Sequence, residues 1–370
     1  ALSGGSGERL PARCEGAACK PDPSFSTRTS YLIGCPSGSS TCGGDRNGRG
    51  IYIANDHNYC FATFTPKITF CPETFLNDRR GGVRLRLHNP SGPGPAVDAP
   101  VTAALDTGAG ETPIELVSVE GRETGLAITL RPRGGGAPRP ASDEEMRQLR
   151  LRFALDAPNA DARLAYTLKI APATAVDRRP QPWLRRYAVY YQLAGSTSWT
   201  RHCGVEDGVE LATSFLGGFQ IDGHKAEVRA DRLATTMSCV TGAIDSCLAW
   251  GYAPWAAGGR DAASGEHLFA TCLQAKRAAY FVGRGDPSSY TVSGTEIYKR
   301  DPFGINAEPN GRPEPQWVGD LEAIWGPRGA LCLNLANRRR HDVVLPNEPS
   351  LRLPPCDGAQ WSEAGKMATI

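Results

Sequence analysis

Asp320 and Glu322 are the residues of this 370-residue chain best spaced for proton chemistry. In the run Asp320–Trp325, Leu321, Ala323 and Trp325 alternate with Asp320, Glu322 and Ile324, the period of a strand. That spacing puts both carboxylates on one face, about 7 Å apart, where they could divide general-acid and general-base roles as in glycoside hydrolysis. His267, at the start of a helical segment, could join them. The competing reading is a solvated polar face on a half-buried strand. A second candidate is the cluster Trp250, Tyr252 and Trp255, an aromatic platform for a sugar or another flat ligand. Beside Cys247, the same rings equally suit packing around a disulfide.

Other reaction chemistry finds little support. The chain has no G-x-S-x-G elbow, P-loop or H-E-x-x-H helix. The loops Asp45–Gly48 and Asn55–Asn58 offer oxygen ligands for calcium, but each lacks the acids and spacing of an EF-hand. No cofactor is expected, calcium being the one ion these loops approach.

The twelve cysteines fall into two even sets. Cys14, Cys19, Cys35, Cys42, Cys60 and Cys71 lie near the start; Cys203, Cys239, Cys247, Cys272, Cys332 and Cys356 follow a long Cys-free stretch. Zinc sites usually pair thiols at C-x2-4-C, because two must reach one tetrahedral ion. No pair here has zinc-ribbon spacing, the closest being C-x4-C at Cys14 and Cys19, so disulfides are expected and a metal is not. Their pairing cannot be deduced from spacing. Twelve sulfurs in S–S bonds imply an oxidising compartment, secreted or at the cell surface. The opening Ala1–Gly7 reads as a mature terminus from which a signal peptide has been removed.

A net charge of +2 provides no long-range field for nucleic acid, and no apolar run reaches the roughly 18 residues that span a bilayer. Glycine (42) and proline (29) are abundant, which favours short strands and turns over long helices. Period-2 runs mark strands: Val83, Leu85 and Leu87 alternate with Arg84, Arg86 and His88, and Ile114–Val119, Leu126–Leu130, Leu164–Ile170 and Arg186–Leu193 follow suit. Gly50–Ala54 and Phe61–Phe70 are further strand candidates. Ser142 can cap a short helix whose first turn is the acidic Asp143-Glu144-Glu145. A longer helix is expected over Glu266–Phe281 with Ser264 as N-cap, presenting Leu268, Cys272, Ala275 and Ala279 on one face. On that face, Cys272 would staple the helix to its surroundings.

The fold class is therefore mainly β with minor α: antiparallel sheet modules stapled by disulfides. Three modules are expected, a Cys-rich 1–78, a Cys-free antiparallel β module of sandwich type over 79–200, and a Cys-containing 201–370.

Several blocks resemble one family. Cys239, Cys247 and Trp250-Gly251-Tyr252-Ala253-Pro254-Trp255 look like the C…C…WGY-P-W block of ADYC-domain proteins. The segment 270–305, Tyr187–Cys203 and Glu322–Cys332 resemble further blocks in the same order, covering roughly 185–335. The signature itself departs: A-D-Y-C becomes Ala278-Ala279-Tyr280-Phe281, losing an acid and a thiol. The resemblance implies an exported bacterial protein and supplies no reaction. The expected function is non-enzymatic, the binding of a protein or polymer partner or self-association. The alternative is a secreted hydrolase using Asp320 and Glu322.

Overall fold

The structure is a computed structural model. It describes residues 73–87, 97–122, 125–156, 163–172, 184–203, 205–206, 209–221, 225–240, 242–255, 262–282, 291, 297–305, 317–339, 352–356 and 367–369, together with six short strands before residue 53. The chain divides into two compact units, one of Ala1–Asp56, His224–Glu227 and Ser246–Ile370, the other of His57–Gly223 and Val228–Asp245. The expected boundary after residue 200 thus falls inside the second unit, because two later strands complete its sheet.

The six short strands form antiparallel pairs: β1 (Leu2–Ser3) with β2 (Arg9–Leu10), β3 (Ala12–Glu15) with β4 (Ala18–Pro21), and β5 (Leu32–Ile33) with β6 (Ile51–Tyr52). The β3–β4 register sets Cys14 opposite Cys19. The remaining first-set cysteines, the segment Phe61–Phe70 and both proposed calcium loops lie outside the described residues.

The second unit contains β7 (Glu73–Asn77), β8 (Val83–Leu87), β9 (Val97–Asp106), β10 (Glu111–Arg122), β11 (Gly125–Pro132), β12 (Arg139–Pro140) and α1 (Asp143–Gln148). It continues through β13 (Leu149–Asp156), β14 (Arg163–Pro172), β15 (Tyr187–Leu193), β16 (Thr200–Arg201), β17 (Val205–Glu206), β18 (Val209–Glu210), β19 (Thr213–Ile221) and β20 (Val228–Cys239). Eight of these close an antiparallel barrel in the order β9-β13-β14-β15-β19-β20-β7-β8 and back to β9. The sandwich expected over 79–200 is corrected here. Strand β9 is long enough to pair with β8 through its first half and with β13 through its second, so the sheet closes on itself and has no free edge at that point.

The alternating residues fill this barrel as their period dictates. Leu85, Ala103, Leu151, Phe153, Tyr166, Leu168, Ile170, Val189, Phe215 and Met237 belong to one buried cluster. Phe153 stacks on Tyr166 at 5.4 Å between ring centres, and Tyr187 meets Phe215 edge-on. Helix α1 forms as expected, with Ser142 and Glu145 in a reciprocal capping box.

The hairpin of β10 and β11 lies against the inward-facing side chains. Asn77, in step with inward Phe75, accepts from the Val119 amide at 2.9 Å and donates to its carbonyl at 3.0 Å, imitating a strand partner. Thr235, opposite Phe75, donates to the same carbonyl and accepts from the Gly121 amide. The Tyr187 hydroxyl accepts from the Leu126 amide at 2.6 Å. Gly121 and Gly217 let the two backbones touch, since a Cβ on Gly217 would fall 1.9 Å from the Gly121 carbonyl oxygen. Next to it, Gly218 takes a φ of 82° at a break in the β19–β20 register, a bulge that bends β19. Gly217→Ala is therefore expected to lower stability by about 2 kcal/mol through overpacking, measured by urea unfolding.

In the first unit, α2 (Ala243–Ala249) crosses the unit boundary, and α3 (Ala262–Arg277), β21 (Lys299–Arg300), α4 (Trp317–Asp320), β22 (Ala323–Gly326), β23 (Gly329–Leu333) and β24 (Met367–Thr369) follow. The strands pair in the order β21-β24-β22-β23, and α3 packs on this sheet. The helix begins earlier than expected, so Ser264 lies within it rather than capping it, and it ends at Arg277, before Ala278, whose φ of 52° is left-handed. Leu268, Cys272, Ala275 and Ala279 are all buried. No helix among the described residues is long and apolar enough to cross a membrane, which says nothing of strands.

Candidate functional site

The second-set cysteines close in chain order: Cys203–Cys239, Cys247–Cys272 and Cys332–Cys356. The first belongs to the barrel unit, where it packs with Leu211. The second ties α2 to α3, the staple expected of Cys272. His202, Cys203 and Cys239 bring three metal-ligating atoms within 4.8 Å of one another, but both sulfurs are committed to their disulfide. Burial drives the His202 imidazole down to about 3, with Arg201 adding to the effect, so it stays neutral at ordinary pH.

The structure corrects the Asp320–Glu322 pairing. Asp320 ends α4 and is exposed, whereas Glu322 is fully buried just before β22, so the two do not share a strand face. Alternation failed here because the whole stretch from Leu321 to Gly326 is buried. His267 is exposed on α3, and its carbonyl accepts from Thr271.

Glu322 is held from several sides. The Arg339 guanidinium donates to both carboxylate oxygens, 3.0 Å from Nε to each, and its NH2 group also donates to Oε2. The Arg339 amide donates to Oε1 at 2.9 Å, Tyr280 donates to Oε1 at 2.5 Å, and Thr369 donates to Oε2 at 2.7 Å. Thr369 in turn accepts from the Trp325 indole, and Trp325 stacks on Tyr280 at 5.4 Å. Arg339 also donates to the Ala275 carbonyl in the last turn of α3, tying helix to sheet. Burial alone would raise the Glu322 carboxyl, but the charge and hydrogen bonds of Arg339, with Tyr280 assisting, hold it below its ordinary value. Burial works against the Arg339 charge too, and Glu322 more than restores it.

A carboxylate so engaged is a poor proton shuttle. Its accepting sites are occupied and its charge is locked. Its chemistry is structural, joining α3, the turn after it and the central β22–β24 pair of the sheet. Sequence reasoning missed Arg339 and Thr369, which lie 17 and 47 residues from Glu322. The retained tyrosine of the degenerate signature was the available signal. The two altered signature positions, Ala279 and Phe281, are buried.

The aromatic platform is corrected as well. Tyr252 is buried and donates its hydroxyl to Asp301 at 3.0 Å, so it offers no face to a ligand. Trp250 and Trp255 are half-buried, and Lys299 sits over the Trp250 ring at 4.0 Å. Burial pushes the Lys299 ammonium down to about 8, opposed by Asp301 and assisted by Lys276.

Fold and site together define a disulfide-stapled, mainly β protein with a closed antiparallel barrel and a buried carboxylate knot. The family model of the ADYC domain matches residues 143–339, just over half of the chain, and the chain belongs to the ADYC-domain family. The match starts at α1, upstream of the blocks that carried the resemblance, and so includes barrel strands. The six cysteines from Cys203 onward pair among themselves, leaving none orphaned by the loss of the signature thiol at Phe281. No curated protein and no solved structure matches the chain.

Proposed function

We propose that this chain is an exported protein that works by binding a partner, a polymer or further copies of itself, without catalysing a reaction. The observation that supports this reading is the engagement of Glu322, one of the acid–base candidates within the family match, by Arg339, Tyr280 and Thr369. The three disulfides are compatible with an oxidising compartment. A closed barrel with side chains packed inside leaves its outer surface as the recognition surface.

The test is incubation of the purified protein with glycan and peptide polymers, scoring retention by co-sedimentation alongside release of reducing ends or new amino termini. Retention without new chain ends is expected. Turnover that co-purifies with the folded protein would establish a hydrolase instead.

A further inference from the structure

The outer face of the barrel carries an ordered row of cations and aromatic rings. Tyr166, Leu168 and Ile170 of β14 point inward, so Thr167 and Lys169 point outward, and Lys169 stands directly opposite Tyr190 of β15. Tyr190 stands opposite Arg201 of β16, and Arg150 of β13 continues the row on the other side. Adjacent members are therefore about 5 Å apart, the spacing of neighbouring strands.

The rings fix the cations in place. Lys169 Nζ lies 4.4 Å from the Trp199 ring centre and 4.8 Å from that of Tyr190. Arg150 approaches Trp199 at 5.7 Å, and Arg201 lies over Tyr190 at 4.8 Å. Arg150 pairs with Asp106 at 2.8 Å, and Arg201 reaches Glu210 at 3.5 Å. Among the described residues no carboxylate forms an ion pair with Lys169; two rings surround it, and the charges of Arg150 and Glu210 both reach it. Burial, then the charge of Arg150, hold its ammonium below the ordinary value, and the charge of Glu210 opposes them. An anion placed beside it would relieve that repulsion. The next row holds Thr102, Thr167 and Gln192, which add hydroxyl and amide groups to the cations, and Arg152, which pairs with Glu111.

We infer that this face binds a carboxylated polysaccharide, its carboxylates on Lys169 and Arg150 and its hydroxyls on the neighbouring polar row. This rests on the binding reading above and names its ligand class. Alternating charged and hydroxyl partners match a uronate polymer, while a net charge of +2 supplies little of the field that draws nucleic acid.

The experiment uses the full chain and three probes: polygalacturonate, neutral dextran and duplex DNA. Polygalacturonate binding that weakens with salt is expected, with little retention by dextran or DNA. Lys169→Glu should reduce that affinity at least about ten-fold, while Arg229→Glu, the same charge change at an exposed site on β20, should not. Circular dichroism and a thermal melt verify that each variant is folded. Polygalacturonate binding indifferent to Lys169→Glu, or equally weakened by Arg229→Glu, overturns the site. Retention by dextran or DNA in its place overturns the ligand class and leaves the binding reading standing. Release of chain ends from polygalacturonate overturns both.

Discussion

Glu322→Gln is expected to destabilise the chain by about 3–5 kcal/mol, because it leaves the Arg339 guanidinium buried without its counter-charge. Side chains of Arg339 and Glu322 are 7% and 0% exposed, so solvent cannot stand in for the lost partner. The same pair sets a pH dependence. The folded-state pKa of Glu322 lies below its unfolded value, so its contribution is complete above about pH 4.5 and fades as pH falls through the folded pKa. Urea unfolding from about pH 7 down to pH 3 should show the native protein losing stability on the acid side. The variant should start lower and fall less steeply. It should keep some slope, since Glu145, held at about 2 by Arg139 and by Ser142, titrates in the same direction.

Cys247→Ala combined with Cys272→Ala should cost about 3 kcal/mol, the loop-closure value for cysteines 25 residues apart. This bridge joins α2 to α3, and α3 packs on the sheet that carries the Glu322 knot. Both sulfurs are fully buried, so the loss of packing adds to the loss of the cross-link. Thermal unfolding of the double variant should show a lower midpoint than the native protein. An unchanged midpoint would mean that the bridge does not constrain the unfolded chain.

What was legible in the sequence was local. Lys169 falls between Leu168 and Ile170 in the alternating run Leu164–Ile170, and that period alone marked β14, whereas β13 was not recognised as a strand. Ser142 and the acidic Asp143-Glu144-Glu145 announced α1 because a cap and its first turn are adjacent in the chain. Cys272 was recognisable as a staple from its place on an apolar helix face, although its partner was not. The rest depends on residues brought together over distance. Closure of the barrel turns on β9 pairing with β8 and β13 as well as β10, which no pattern within β9 reveals. The inward hairpin needs Gly121 and Gly217, 96 positions apart (217 minus 121), to meet. Glu322 misled for the same reason: a charge between apolar residues looks solvated unless its distant arginine is known. Alternation reports polarity, and a buried ion pair is polar without being wet.

A non-reducing peptide map of the natively folded protein, alkylated before digestion, tests the covalent frame beneath these inferences. Linked peptides joining Cys203 to Cys239, Cys247 to Cys272 and Cys332 to Cys356 are expected, with none of these six sulfurs alkylated. Alkylated thiols at these positions in folded protein would contradict it, and with it the proposal of an oxidising compartment.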